Sequence, residues 1–421
     1  MKILNSFNIE LFPQVFMMIA GMIAILVRAA IIVGGWDPMW ESAYRTNRVV
    51  FDDFRVEPNV RHSVWTLVFG SYFTWVAIFG TNQAQVQRAL SCGTLKDAQI
   101  ALWLNVPGLW LILLLGSFVG LFMGAFYEKC DPLKAGFVKN GNQMLPMFVM
   151  DILGDIPGLP GLFVAGLFSA ALSTISSGLN AISALLLEDV IRAYWFKNML
   201  EAKARRCTQI LALVFGVICL GLTVICSYLG NVLEVAMSLF GMLAGPILGV
   251  FTLGMFFPWA NKWGAFAGIC TSIPLIFWIG IGTAIVKPPH EKSLKFYTNC
   301  NLTAFDNETI ANIMDNSTAP LPEHTWDYDL YTVSYFWYSA ITVIDVIVVG
   351  MIVSLITGHN NPEDLNPRLI CPLADIMPPF RFLPEKLRKP LRFGIDHRNK
   401  NRNNDNKVDT AEAVNLMEQR T

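Results

Sequence analysis

Eight stretches of this chain stay apolar for longer than a bilayer requires, at about residues 12–34, 64–87, 101–126, 161–187, 208–229, 232–257, 263–286 and 331–357. Roughly 20 apolar residues in a helix cross the hydrocarbon core. Inside it, each backbone N–H and C=O must be bonded within the chain, which leaves helices or closed barrels. Runs of this length read as helices. Charged residues make up only 15% of the chain, against about 25% in an ordinary globular domain, and the mean hydropathy is +0.46. The expected fold class is all-α integral membrane, with about eight spanning helices. Residues 1–360 form the membrane domain, and 361–421 form a solvated tail rich in Asn, Lys and Arg after Asp396. The opening MKILNSFNIELFP lacks a signal-peptide core followed by a cleavage site, so the first apolar helix is expected to serve as its own insertion signal.

The loops orient the chain. Segment 287–330 is polar and holds the N-x-[ST] sequons, at Asn301, Asn307 and Asn316, which places it outside the cell as a glycosylation candidate. Arg192, Lys197, Lys203, Arg205 and Arg206 follow the fourth run, and Lys386, Arg388, Lys389 and Arg392 lie in the tail. Both groups read as cytoplasmic by the positive-inside rule. The outer loop 35–63 runs against the rule with Arg45, Arg48, Arg55 and Arg61, diluted by acids. The eight cysteines form no CxxC pair, which argues against a zinc site or a disulfide framework. Cys130 and Cys300 fall in outer polar segments where one disulfide could form. A net charge of −1 gives no basis for a nucleic-acid partner.

Within the helices, Arg28 lies near one end of its run and is expected to snorkel to the interface. Pro107 with Gly108, and Gly245 with Pro246, are expected to interrupt their helices. Three stretches carry candidate chemistry. In FVAGLFSAALSTISSGLNAISALLLED (163–189), Ala170, Ser173, Thr174, Ser177 and Ala181 share one helical face. Such a face suits oxygen coordination of a small hard cation, or plain helix packing through small residues. In FTWVAIFGTNQAQVQRAL (73–90), Asn82 and its neighbouring amides stand at a depth where unpaired polar groups cost several kcal/mol. Gly80 marks where that helix could unwind, and Trp75, Ile78 and Phe79 supply an apolar wall. In MSLFGMLAGPILGVFTLGMFFP (237–258), glycines permit close approach or a bend, and Ser238 is the early hydroxyl. There is no HExxH, P-loop or GxSxG motif and no pair of intramembrane carboxylates, so an enzyme is not expected.

Three stretches resemble the sodium:solute symporter family, and within it the sodium-coupled monocarboxylate and multivitamin transporters. The NQ-x-x-x-QR ending of 73–90 looks like the family's sixth core helix, 169–191 like the eighth, and 238–268 like the tenth with its following loop. VRHSVWTLV (60–68) fits as well. The resemblance implies the inverted-repeat fold of leucine-transporter type, with substrate and ion held beside broken helices at the midplane. It implies sodium as the co-transported ion, bound by the Ala170 and Ser173 carbonyls and the Ser173 and Thr174 hydroxyls. A small organic anion, a monocarboxylate or a vitamin such as biotin or pantothenate, is the implied substrate at the plasma membrane. Its pocket would include Trp75, Ile78, Phe79, Asn82, Met237 and Ser238.

The chain departs from its relatives in three ways. Ile78 stands where sugar-transporting members carry a gating Tyr, and Met237 where they carry a sugar-contacting Gln, which favours an anion over a hexose. The first run resembles the fifth core helix, with Gln14 in place but Leu11 where an Asp belongs. Nothing earlier resembles core helices one to four, so the expected fold is partial: core helices five to ten plus two more. Transport by this polypeptide alone is then not expected. The alternatives are a non-transporting regulator of full-length symporters, a sodium-coupled inorganic-anion transporter of the iodide kind, and a channel.

Overall fold

Helices form because the apolar runs leave the backbone no other partner, and the computed structural model contains only helices as regular elements among its described residues. These are residues 2–133, 135–197, 199–226, 232–286, 330–362, 365 and 369–371. Asn301, Asn307, Asn316, Cys300 and most of the tail lie outside them. The helices are α1 (Lys2–Val33), α2 (Trp36–Arg45), α3 (Ser71–Val76), α4 (Gln83–Leu90), α5 (Leu95–Phe126) and α6 (Met144–Leu153). They continue as α7 (Leu159–Leu185), α8 (Glu201–Cys226), α9 (Val232–Phe256), α10 (Lys262–Val286) and α11 (Tyr338–Ile356). Among the described residues, seven helices are long and apolar enough to cross a membrane. The eighth expected run, 64–87, is instead a shorter apolar segment, Thr66–Thr81, followed by a break.

The chain divides into two compact units. The first comprises Met1–Val68, Ile78–Leu239 and Lys287–Tyr335. In it α1 packs on α5 and α7, and a core gathers Ile25 and Ala29 of α1, Phe122 of α5 and Phe148 and Ile152 of α6. Trp36 of α2 sets its ring edge-on to Phe118 and Phe122, with centroids 5.1 and 5.2 Å away. α1 and α7 approach closely at Gly166, where a Cβ would stand 3.2 Å from the Met18 Cα. Tyr127, just beyond α5, donates to the Asp151 carboxylate at 2.5 Å. Burial and that carboxylate push the Tyr127 phenol far above its ordinary value, so it remains the donor.

Three of the four arginines of loop 35–63 pair with a carboxylate. Arg45 forks onto Glu128 at 2.6 and 2.8 Å, Arg55 pairs with Asp53 at 2.8 Å, and Arg61 with Glu234 at 2.5 Å. The hydrogen bond from Arg45 holds the Glu128 carboxyl below the usual carboxylate range. Arg48, on which the charges of Asp131 and Glu128 act, lies flat on α5 at Gly124, where a Cβ would stand 2.7 Å from its Nη1. Cys130, in the same region, is disulfide-bonded.

The second unit comprises Phe69–Ala77, Phe240–Val286 and Phe336–Thr421. Its helices touch through small residues, as membrane helices do when dispersion and backbone proximity replace the hydrophobic drive. A Cβ on Gly264 of α10 would collide with the Ser354 hydroxyl and the Gly350 carbonyl oxygen of α11. One on Gly245 of α9 would collide with the Thr342 hydroxyl and lie 2.9 Å from the Ser339 Cα. Thr74 of α3 exchanges a 2.8 Å hydrogen bond with Ser339. Asn261 starts α10: its Oδ1 accepts from Gly264 N–H at 2.8 Å, and its Nδ2 donates to Thr357 Oγ1 at 2.7 Å. At the start of the expected solvated tail, Cys371 N–H donates to the Met255 carbonyl at 2.9 Å.

Several expectations need correction. Pro107 and Pro246 do not interrupt their helices, since α5 and α9 run through them without a break. A proline removes one ladder bond, but in a medium offering no replacement partners the remaining bonds still favour the helix. Arg28 does not simply reach the interface, because its Nε donates to the Ile152 carbonyl at the end of α6, 3.1 Å away. The unwinding expected at Gly80 falls two residues later, at Asn82.

Candidate functional site

α7 begins where the backbone demands it. Gly158 takes a left-handed conformation (φ 89°) that L side chains avoid, and Pro160 follows in the first turn. Down the helix the hydroxyls fold back on their own backbone. Thr174 Oγ1 donates to the Ala170 carbonyl at 3.2 Å, and Ser177 Oγ to the Ser173 carbonyl at 3.0 Å. These i→i−4 bonds loosen a helix slightly and leave the hydroxyl lone pairs as acceptors. Ser173 is half-buried, and Ala170 and Thr174 are exposed.

The broken segment is wound in wide π turns over Thr66–Gly70 and Ala77–Thr81, on either side of α3. Such turns are uncommon and concentrate at functional sites. The winding stops at Asn82, whose backbone is extended (φ −66°, ψ 127°) and whose side chain accepts from Ala84 N–H at 2.9 Å. Asn82 is thus the N-cap of α4. Asn82→Ala is expected to cost about 1 kcal/mol, read as a lowered melting temperature of the purified chain in detergent.

Arg88, near the end of α4, donates through Nη2 to Ser177 Oγ at 2.9 Å. That bond connects residues 89 apart in sequence and joins the Asn82 helix to the Ser173–Thr174 face of α7. The guanidinium therefore stands one hydroxyl away from the Ser173 carbonyl. In the sequence Ser177 is one small residue of a helical face and Arg88 the last charge of the NQ-x-x-x-QR ending; no spacing rule pairs them, since the contact depends on how the intervening chain returns.

The other expected pocket residues are distributed. Ile78 and Phe79 are half-buried in the wide turn before Asn82. Trp75, 43% exposed, belongs to the second unit, whereas Ile78, Phe79 and Asn82 belong to the first. Met237 and Ser238 are half-buried in the opening turns of α9, also in the first unit. They share no hydrogen bond with Asn82 or with the α7 hydroxyls among the described residues. A cavity of about 280 Å³ adjoins Ala170, lined by Met17, Met22, Val119, Met123 and Phe163 among others. Its named lining residues are apolar and carry no charge.

Comparison with known proteins gives a consistent picture. The model of the sodium:solute symporter family matches residues 12–271. Sodium-coupled monocarboxylate transporter 2 of Homo sapiens is 37% identical over 384 residues, covering 91% of this chain and 61% of that protein. Sodium-dependent multivitamin transporter of Oryctolagus cuniculus is 39% identical over 368 residues, covering 86% of this chain and 57% of that protein. The chain thus spans about three fifths of the length of these curated relatives. Among solved structures, a Na+-coupled sialic acid symporter in a substrate-bound outward-open state matches with a TM-score of 0.55 at 18% identity. The match covers 83% of this chain and 62% of that one, and shows a shared fold.

Proposed function

This chain belongs to the sodium:solute symporter family, and on that premise we propose that it serves sodium-coupled symport of a small organic anion. The anion is a monocarboxylate or a vitamin acid such as biotin or pantothenate, moved across the plasma membrane. The membrane domain is 1–360, and 361–421 is a cytoplasmic tail. The observation that carries the reading is the join between the break at Asn82 and the hydroxyl face of α7 through Arg88 and Ser177.

In this reading sodium is bound by the Ala170 and Ser173 carbonyls and the Ser173 and Thr174 hydroxyls. Hard cations favour such oxygen ligands. The substrate lies beside Phe79 and Asn82, with Ile78, Met237 and Ser238 completing the pocket. Its carboxylate would meet backbone N–H groups at a broken helix, where the helix dipole favours negative charge. Sodium and anion then stabilise the same conformer, which is coupling by linkage.

The test is made on the purified chain in two parts: sodium binding in detergent, which the reading requires, and sodium-dependent uptake of lactate, nicotinate or biotin in liposomes, which is not expected of this polypeptide alone. Replacing both Ser173 and Thr174 by Ala is expected to raise the sodium concentration for half-maximal binding about tenfold or more, the loss of two oxygen ligands at about 1 kcal/mol each. Unchanged sodium dependence would return those hydroxyls to packing. No flux by the native chain, with capture of a longer relative, would favour a regulatory partner instead; preference for iodide over carboxylates would favour an inorganic-anion carrier.

A further inference from the structure

The first turn of α9 is held without apolar burial. Val232 is 59% exposed and Leu233 64% exposed, so packing contributes little there. Its anchors are polar. Val232 N–H donates to Asn142 Oδ1 at 3.4 Å, and Glu234 Oε1 accepts from Arg61 Nη1 at 2.5 Å.

Arg61 is fixed from the opposite direction. Its carbonyl accepts from Thr66 Oγ1 at 3.2 Å and from Ser334 Oγ at 3.1 Å, and Ser334 N–H donates to the Pro58 carbonyl at 2.9 Å. Ser63, Thr66 and Ser334 are all buried, and Ser63 and Thr66 bond reciprocally through their hydroxyls and N–H groups. The guanidinium lies 5.6 Å from the centre of the buried Tyr335 ring, whose hydroxyl meets His62 Nε2 at 3.2 Å. A cation stacked on an aromatic face loses part of its freedom to wander. The arginine is therefore a rigid post, and the glutamate is the movable partner. Glu234 precedes Met237 and Ser238 by one helical turn, so whatever sets Glu234 sets them.

We propose that Arg61 and Glu234 are a positioning pair: they fix the first turn of α9 and thereby orient Met237 and Ser238 in the substrate pocket, so that substrate affinity depends on the pair. The pocket assignment rests on the function proposed above, whereas the positioning of the turn does not.

The experiment has two arms on the full chain. In the first, Ser238→Cys is labelled by a water-soluble maleimide, and the signal of the chain without that substitution is subtracted as the native-cysteine background. Adding Glu234→Gln is expected to raise the labelling rate about fivefold, the population shift that follows from losing a part-buried ion pair. The charge exchange Arg61→Glu with Glu234→Arg is expected to restore the slow rate, a rescue that mere loss of fold would not give. Arg61→Lys, which keeps the charge but loses the planar fork, serves if Glu234→Gln does not yield monodisperse protein. In the second arm, with Ser238 intact, Glu234→Gln is expected to raise the half-saturating concentration for binding of a monocarboxylate to the purified chain in sodium. Equal labelling in all variants overturns the positioning of the turn. Altered labelling with unaltered half-saturation overturns its link to the pocket. Absence of monocarboxylate binding by the native chain defeats the pocket assignment alone, and the labelling arm still decides the pair.

Discussion

Gly264→Ala is expected to cost about 3 kcal/mol or more, near the top of the range for overpacking a well-filled contact. The added methyl has nowhere to go, because it meets the Gly350 carbonyl oxygen, which is backbone, as well as the Ser354 hydroxyl. Relieving the collision would require α10 and α11 to separate. That would also break the capping hydrogen bonds of Asn261 to Gly264 and Thr357. The measurement is the yield of monodisperse protein and its melting temperature. Gly108→Ala in α5 is the matched comparison, since a Cβ there meets nothing within 4 Å. Removing a glycine from an open helical position stabilises by about 0.5–1 kcal/mol. If the two variants melt together, α10 and α11 do not approach as closely as described.

The second large effect concerns charge. Arg48→Met is expected to destabilise by about 3 kcal/mol, the cost of removing one partner from a buried ionic cluster. Asp131 is only 4% exposed, and its charge acts on the half-buried Arg48 guanidinium. Burial already draws the Arg48 value below the ordinary one, while Asp131 and Glu128 act to restore it. The carboxylates would be left in a poorly solvated place without that charge. Arg55→Met is the comparison: Arg55 pairs with Asp53 two residues away, half exposed to water, and such a pair contributes about 0–1 kcal/mol. Equal losses of melting temperature in the two variants would contradict a buried role for Arg48.

The spanning helices are legible in the sequence because hydrocarbon imposes one structural solution on a long apolar run. The short helices α2 and α6 are not, since ten residues carry no length signal and owe their shape to packing against α1 and α5. The arginines of loop 35–63 look like an exception to charge asymmetry until their partners are known. Glu128, Asp131 and Glu234 come from distant positions and balance them. In the candidate site, Asn82 is legible because an amide at membrane depth must cap or bind something. Ser173 and Thr174 stand out only through the family resemblance, since their back-bonding resembles that of any serine or threonine in a membrane helix. Arg88 and Ser177 are not legible as a pair, and Gly124 gives no hint that it makes room for a guanidinium.

The length of α5 has a consequence of its own. Its 32 residues rise about 48 Å, and the stretch from Ile100 onward, after Lys96, Asp97 and Gln99, is still about 40 Å long. The hydrocarbon layer is about 30 Å thick. The surplus is absorbed by leaning or by drawing lipid up around the helix, at a modest cost for each ångström. Because α5 supplies Phe122 to the core of the first unit, its lean is shared by that core. Thicker, sterol-rich bilayers relieve the mismatch and thin ones aggravate it, so this single helix biases the whole unit in how it sorts among cellular membranes.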